Sequence, residues 1–271
     1  MLGGKAYGQL AQILIDAEEA VYADNEQRNG GWRGERSFKL VQRHDESAII
    51  SSFYFQPSDG GAIPDFHAGQ YITILLNIDG QAIRRNYSLS DAPGSDYLRI
   101  SVKLEGRASQ YLHDELKVDD EVQLLAPCGD FILRKNDKPL VLLTAGVCIT
   151  PAISMLNTEA NAERSIHFIH AALNSQSHAF KSHVDQLCHA NNNISSFYVY
   201  SEPTANCQAN ANGFIDNELL STQLPNTPDA ELYLLGPLPF MRNMLKIAKQ
   251  LAIPESQIHY EFFGPVGDLS A

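Results

Sequence analysis

Short runs of alternating hydrophobic and polar residues fill the segment 38–125, a pattern typical of β-strands. Turns at Gly60-Gly61 and Pro93-Gly94, among others, separate the runs. The predicted strands are residues 38–41, 49–55, 71–76, 87–89, 98–103 and 121–125, with one helix at 108–115. Strands at this spacing predict an antiparallel barrel, which we place at residues 31–137.

The pattern changes after Pro139. Residues 140–144 form a continuous apolar run, as expected of a strand that is buried on both faces. Predicted helices at 151–162, 179–188 and 239–251 then alternate with predicted strands at 165–171, 195–200 and 232–235. This order predicts a doubly wound parallel sheet over residues 138–271, so the fold class is an antiparallel barrel followed by an α/β domain.

Residues 1–30 form a separate N-terminal segment. Apolar residues recur at helical spacing over residues 6–22, and polar residues 23–28 with Gly30-Gly31 then read as a linker. The apolar stripe of this short helix has no partner nearby in the sequence. We therefore expect it to favour self-association.

Composition narrows the possible partners and compartment. The 271-residue chain has a net charge of −12, which argues against nucleic acid or an anionic membrane as the main partner. The first nine residues lack a secretion-signal pattern, and no apolar run reaches the ~18 residues that span a bilayer. Four separated cysteines without a C-x-x-C pair favour a reducing cytoplasm and no thiolate-bound metal. No histidine pattern indicates a metal site either; His113, His178 and His259 are expected at the surface or behind the ligand site.

Two segments of the barrel can carry ligand chemistry. On a strand, Arg85 and Tyr87 share a face while Ser88 points the other way, which suits a planar ring with a phosphate. The alternative is a surface arginine beside an ordinary tyrosine. Gly106 opens a helix on which Ser109 can act as a cap, and free N–H groups there attract phosphate. Plain helix capping explains this second segment equally well.

Two segments of the α/β region follow strands, where such sheets bind dinucleotides. One contains Gly146, Thr150 and Pro151, and the other contains Gly236-Pro237. A generic turn is the alternative for both. The aromatic tail from Tyr260 onwards is by itself more typical of a core anchor than of a cofactor lid.

Taken in chain order, these segments resemble the ferredoxin–NADP reductase superfamily, and most closely the reductase half of bacterial flavohaemoglobins. The shared pattern is an R-x-Y-S strand, a G-x-x-S helix start, G-V-x-x-T-P, G-P-x-x-F-M and an E-x-F-G-P tail. The residues from Ala6 to Ala11, with Gly30-Gly31-Trp32 after them, resemble the last globin helix and the linker of those proteins. The resemblance covers essentially the whole chain.

The resemblance implies FAD as cofactor and NADH or NADPH as hydride donor. It implies that Tyr87 stacks on the flavin, Ser88 hydrogen-bonds near its N5 atom, and Glu261 lies near the reactive edge. It also implies that Arg85 and the Gly106–Ser109 turn hold the FAD pyrophosphate. Gln70 and Tyr71 would flank the flavin and adenine side, and Phe263 would cover the second flavin face. The residues implied to form the nicotinamide dinucleotide site are Gly146, Thr150, Pro151, Gly236, Pro237, Phe240 and Met241.

Three residues depart from the family pattern: Cys148 and Leu235 near the nicotinamide segments, and Phe262 in the tail. They put nicotinamide affinity in question more than FAD binding. The ribose contacts are open, with Ser175 and Arg164 as candidates, so the choice of NADH or NADPH is not predicted. No histidine precedes His44, so we expect no haem in this chain.

Three hypotheses follow. The first is a cytoplasmic flavin-dependent NAD(P)H reductase that passes single electrons to a haem protein or another acceptor. The second is a fragment of a flavohaemoglobin nitric oxide dioxygenase. The third is a degenerate FAD-binding module with little turnover.

Overall fold

The computed structural model describes residues 30–225, 227 and 229–262, together with positions 12, 16, 19, 20, 23, 26 and 27. Its first sheet is antiparallel and six-stranded. The strands are β1 (Arg36–Asp45), β2 (Ile50–Pro57), β3 (Tyr71–Ile78), β4 (Gln81–Ser88), β5 (Leu98–Lys103) and β6 (Glu121–Cys128), with helix α1 (Arg107–Asp114) between β5 and β6.

This sheet curls into a barrel. Its strand order is β4-β3-β6-β1-β2-β5, so β4 and β5 are the two edges. A bridge between Leu89 and Ile100 joins the end of β4 to β5, and Ser90 donates its N–H to Arg99 O at 2.9 Å. Inward-facing residues such as Phe38 and Phe53 are fully buried, which fills the barrel with side chains. The predicted antiparallel barrel is confirmed.

The second sheet is parallel, with strand order β10-β9-β8-β7-β11-β12. Its strands are β7 (Leu140–Ala145), β8 (Ile166–Ala172), β9 (Ile194–Tyr200), β10 (Ala211–Asn212), β11 (Glu231–Leu235) and β12 (Ile258–Tyr260). The helices are α2 (Thr150–Glu159), α3 (Lys181–Ala190), α4 (Asn217–Gln223) and α5 (Leu238–Gln250), with 3₁₀ turns at Gly146–Ile149 and Glu255–Gln257.

The parallel sheet has a hydrophobic core on each face. Leu140 and Leu142 belong to one core, and Val141 and Leu143 to the other. This alternation explains why β7 is apolar throughout, because both of its faces are covered. The predicted doubly wound sheet is confirmed.

Several elements differ from the sequence-based prediction. Strand β4 begins six residues earlier than expected, at Gln81, because most of its residues are exposed and carry no hydrophobic alternation. Elements α4, β10 and β12 were not predicted; each is short and gives little periodic signal. Positions 23, 26 and 27 are helical, whereas residues 23–28 were interpreted as part of a linker. The apolar stripe predicted on that helix lies outside the described residues.

A histidine pair is buried among the strands of the parallel sheet. The rings of His170 and His178 are 4.5 Å apart, and their Nδ1 atoms pair with Thr144 Oγ1 and Tyr200 Oη, each at 2.8 Å. His178 is only 3% exposed, so the surface position, one of the two expected for it, is wrong. Burial lowers the pKa of both rings, that of His178 to about 4.

This pair predicts a loss of stability in acid. In the unfolded chain the pKa of His178 returns to its ordinary value of 6.5. The contribution of neutral His178 to the free energy of unfolding is therefore fully present above that pH and is lost as the pH falls towards 4. For His178 alone the loss is about 3 kcal/mol. Urea unfolding at about pH 7 and about pH 4.5 measures it. We expect His178→Gln to show a shallower pH dependence than wild type and exposed His44→Gln to match wild type. Equal slopes for all three proteins would contradict the assignment.

Candidate active site

Strand β4 presents the first group of predicted site residues. Arg85 is exposed, and Tyr87 packs against the barrel core. Burial raises the pKa of Tyr87, and the nearby Arg85 guanidinium partly offsets the rise. The two side chains are therefore close neighbours, one presenting a cation and the other an aromatic ring.

Strand β3 adds Tyr71 on the Ser88 face of β4, opposite to the face of Arg85 and Tyr87. Tyr71 lies opposite Ser88 of β4 on one side and Cys128 of β6 on the other. A hydrogen bond with Cys128, together with burial, raises the pKa of Tyr71 to about 12, and the Glu261 carboxylate adds to the rise. Tyr71 thus pairs with Ser88 and lies within electrostatic range of Glu261, although Glu261 is far away in sequence. The neighbouring Cys128 was not singled out from the sequence, because a lone cysteine at a strand end gives no signal.

Glu261 enters this cluster from the parallel sheet, directly after β12. It is half-buried, and its Oε2 atom has no hydrogen-bond partner among the described residues. Burial raises the pKa of Glu261, and the Asp130 carboxylate raises it further. A buried acceptor without a partner is costly, so this oxygen is suited to meet a ligand group. Phe263, predicted to cover the flavin, lies outside the described residues.

Gln70 is part of the framework behind this cluster. Its side chain accepts a hydrogen bond from His67 N–H at 2.8 Å and donates one to Gly129 O at 3.2 Å, and the residue is 3% exposed. The resemblance places Gln70 beside the flavin and adenine. Its side chain holds the loops on either side of Tyr71.

The start of α1 carries the second predicted segment. Gly106 has φ +83°, and a side-chain atom at this position would meet none of the described residues within 4 Å. Ser109 Oγ accepts from Glu105 N–H at 2.7 Å and donates to Gly106 O at 2.9 Å, so its side chain holds the loop. The first helical bond is donated by Gln110 N–H, which leaves the preceding N–H groups outside the helical pattern and suited to an anion.

The turn after β7 carries the third segment. Gly146 has φ +60° and open space where a side chain would begin, as a close backbone approach to a ligand requires. Thr150 and Pro151 are buried in the first turn of α2, so they shape the site from beneath. Burial raises the pKa of Cys148 to about 11. Its thiol packs with the hydrophobic core of the sheet.

The turn after β11 carries the fourth segment. A side-chain atom on Gly236 would lie 2.3 Å from the Phe240 ring, so this glycine allows the ring to pack. Pro237 is exposed at the start of α5. Met241 is fully buried, so its predicted place in the lining of the nicotinamide site is wrong. The reason is the helical period, which turns Met241 into the core.

Of the two ribose candidates, only Ser175 lies at the carboxyl edge of the parallel sheet. It follows β8, and its Oγ is 3.2 Å from Cys207 Sγ. Hydrogen bonds from Ser175 and Thr204 lower the pKa of Cys207 to about 6. Arg164 precedes β8 at the opposite edge and is buried beside Glu159, so its candidacy is wrong.

Comparison with known proteins agrees with this geometry. Residues 37–132 match a family model described as an oxidoreductase FAD-binding domain, and residues 142–246 match an oxidoreductase NAD-binding domain. The chain is 47% identical over 270 residues to the flavohemoprotein of Pseudomonas aeruginosa, covering 99% of this chain and 69% of that protein. The chain belongs to the flavohemoprotein family. It is an FAD-dependent NAD(P)H oxidoreductase.

Solved structures of this family share the fold. The flavohem-like FAD/NAD binding domain of nitric oxide dioxygenase from Vibrio cholerae matches with a TM-score of 0.79 and 34% identity, covering 85% of this chain and 99% of that one. The flavohemoglobin of Malassezia yamatoensis, solved with bound FAD and heme, matches with a TM-score of 0.81 and 26% identity, covering 95% and 66%.

The family's cofactor fits the residues present in this chain. The orphaned Glu261 oxygen and the open space at Gly106 and Gly146 lie in segments that the flavohemoprotein pattern assigns to ligands. In the described part of the chain, no group of three His, Cys, Asp or Glu side chains is placed to hold a metal ion. The described helices include none that is long and apolar enough to cross a membrane.

Proposed function

We propose that this chain takes a hydride from NADH or NADPH onto FAD at the junction of barrel and sheet and passes the electrons on singly. The observation that carries the proposal is the pairing of Tyr71 with Ser88 in the barrel, together with Glu261, directly after β12 of the parallel sheet, whose carboxylate helps to raise the pKa of Tyr71. A flavin bound against β4 would lie beside the carboxyl edge of the sheet, where a dinucleotide binds.

In this proposal the barrel holds the FAD. Tyr87 stacks under the flavin ring, while Arg85 and the N–H groups at the start of α1 hold the pyrophosphate. Ser88 donates a hydrogen bond near N5, Tyr71 flanks the flavin, and Phe263 covers its second face. The bound FAD supplies the two-electron to one-electron conversion that the protein's side chains lack.

Glu261 is proposed to manage protons at the reactive edge. Because burial raises its pKa, the carboxyl group holds a proton at higher pH than an exposed glutamate does. Its unpartnered Oε2 is the atom that would face the ligand. The network with Tyr71 and Cys128 fixes the surroundings of this group.

The parallel sheet is proposed to hold the nicotinamide dinucleotide. Gly146 allows the backbone to approach the pyrophosphate, with Thr150 and Pro151 supporting the turn from the core. Gly236, Pro237 and Phe240 would border the nicotinamide. Since Cys148 packs into the core of the sheet, its presence in place of a glycine is compatible with this arrangement.

The physiological acceptor is proposed to be a haem, since the relatives are flavohemoproteins and the Malassezia structure contains both FAD and heme. The Vibrio cholerae relative is named a nitric oxide dioxygenase, and we propose nitric oxide detoxification as the parent activity. We further propose a cytoplasmic location, self-association through the N-terminal helix, and boundaries at residues 30 and 137.

Steady-state turnover tests the proposal. With FAD bound and oxygen excluded, we expect each NADH or NADPH consumed to reduce about two ferricyanide ions, because a hydride carries two electrons and each ferricyanide accepts one. Comparison of the two donors at equal concentration reports the nucleotide preference. FAD binding without turnover by either donor would favour the degenerate module instead.

A further inference from the structure

A single aspartate at the junction connects the barrel to the parallel sheet. Asp91 O accepts a hydrogen bond from Ser154 Oγ at 2.6 Å, and Asp91 Oδ1 accepts one from Asn157 Nδ2 at 2.7 Å. Ser154 and Asn157 lie almost one turn apart on α2. Two short hydrogen bonds therefore join the segment after β4 to this helix.

The barrel side of the connection is fixed by β5. Asp91 Oδ2 accepts from Tyr97 Oη at 2.8 Å and pairs with Arg99 Nη1 at 3.2 Å. The Asp91 and Arg99 side chains are only 14% and 8% exposed. Arg99 also donates to Ser90 O and, from Nε, to Ser90 Oγ. A buried charge held from several sides keeps one position, because its movement would leave other groups unpaired.

The sheet side is supported in the same way by α3 and the residue before it. His183 Nε2 pairs with Asn157 Oδ1 at 2.6 Å. The Arg99 guanidinium lies over the Phe180 ring, 5.2 Å from its centre. The connection is thus continuous from β5 through Asp91 to α2 and α3.

The two ends of this connection lead to the two halves of the proposed site. Asp91 lies three residues after Ser88, which ends β4, the strand proposed to hold the flavin. Ser154 stands one turn after Thr150, on the helix that follows the Gly146 turn. Hydride transfer requires reacting atoms about 3–3.5 Å apart, and a shift of about 1 Å can slow a reaction about 100-fold.

We propose that Asp91 is a positioning residue for hydride transfer, which sets the nicotinamide against the flavin through its bonds to Ser154 and Asn157. This inference rests on the proposed function. If these two bonds were purely structural, their loss would lower the free energy of unfolding and leave the rate of hydride transfer unchanged.

The double variant Ser154→Ala/Asn157→Ala tests it in the full chain, because it removes both bonds to Asp91, together with the pairing of Asn157 with His183, and leaves Asp91 and the barrel intact. The matched control is Thr158→Ala, which removes a bond from Thr158 Oγ1 to Ser154 O within the same helix. We expect both proteins to bind FAD as wild type does. In anaerobic stopped-flow, the limiting rate of flavin reduction by NADH should fall at least about 10-fold in the double variant and less than about 2-fold in the control.

Two further readouts separate positioning from stability. The nicotinamide–flavin charge-transfer absorbance should weaken in the double variant at a temperature well below unfolding, and Ser154→Thr should keep the wild-type rate because it keeps the hydroxyl. Hydrogen exchange over residues 89–97 should quicken in the double variant, and this holds whether or not NADH reduces the flavin. Lack of flavin reduction in wild type would overturn the proposed function. If hydrogen exchange is faster in the double variant but the limiting rate of flavin reduction equals that of wild type, the positioning role of Asp91 is overturned and the proposed function is not affected. If hydrogen exchange is unchanged, the two bonds do not hold the junction, and the positioning role is overturned as well.

Discussion

Replacing Arg85 with alanine should weaken FAD binding by about 30-fold to 100-fold. Charge-assisted hydrogen bonds to a phosphate contribute about 2–3 kcal/mol, and among the described residues the exposed Arg85 side chain has only a local bond to Arg84 O to lose. We expect the variant to be purified largely without flavin. Titration of the apoprotein with FAD, followed by the quenching of flavin fluorescence, measures the change.

The neighbouring arginine is the matched control. Arg84 is on the opposite face of β4 and lies 3.6 Å from Glu35, away from the proposed pyrophosphate. Arg84→Ala should therefore bind FAD within about 3-fold of wild type. Equal losses in the two variants would indicate a general charge effect, and no loss in Arg85→Ala would remove this residue from the site.

Replacing Gly69 with alanine should destabilise the protein by about 4 kcal/mol, the sum of overpacking and backbone strain. Gly69 has φ +106°, and its added carbon would lie 2.2 Å from Phe131 O and 2.8 Å from Met155 Cε. Phe131 belongs to the core of the parallel sheet, so the clash would separate the barrel from the sheet. Urea unfolding of the holoprotein measures the loss.

Gly94 provides the control for backbone strain. It has φ +91°, but a side-chain atom there would have no neighbour within 4 Å in the part of the chain that the structure describes. Gly94→Ala should cost only about 1 kcal/mol, from the unfavourable conformation alone. If Gly69→Ala were no worse than Gly94→Ala, the close approach of the two segments would not be a determinant of stability.

The fold was predictable where burial leaves a clear pattern. Strand β5 alternates the buried apolar residues Leu98, Ile100 and Val102 with polar ones, and its bounds, Leu98–Lys103, agree with the prediction. Strand β4 is an edge of the sheet and mostly exposed, so only its last residues were recognised. The junction around Asp91 could not be predicted, because Ser154 and Asn157 are distant in sequence and have the residue types of ordinary helix positions.

The candidate site was predictable at the level of segments and less so at the level of atoms. The motif order located β4, α1 and the turns after β7 and β11. Whether a side chain faces a ligand or the core depends on packing, which turned Gln70 and Met241 inwards. Glu261 came from family resemblance, since nothing in its local sequence places it beside Tyr71.

The most direct test of the central claim is the absorption spectrum of the FAD-loaded protein before and after NADH or NADPH is added without oxygen. We predict a yellow flavin spectrum that bleaches within seconds with at least one donor and returns when ferricyanide is added. A protein that binds no FAD, or whose flavin spectrum persists unchanged with both donors, would contradict the account.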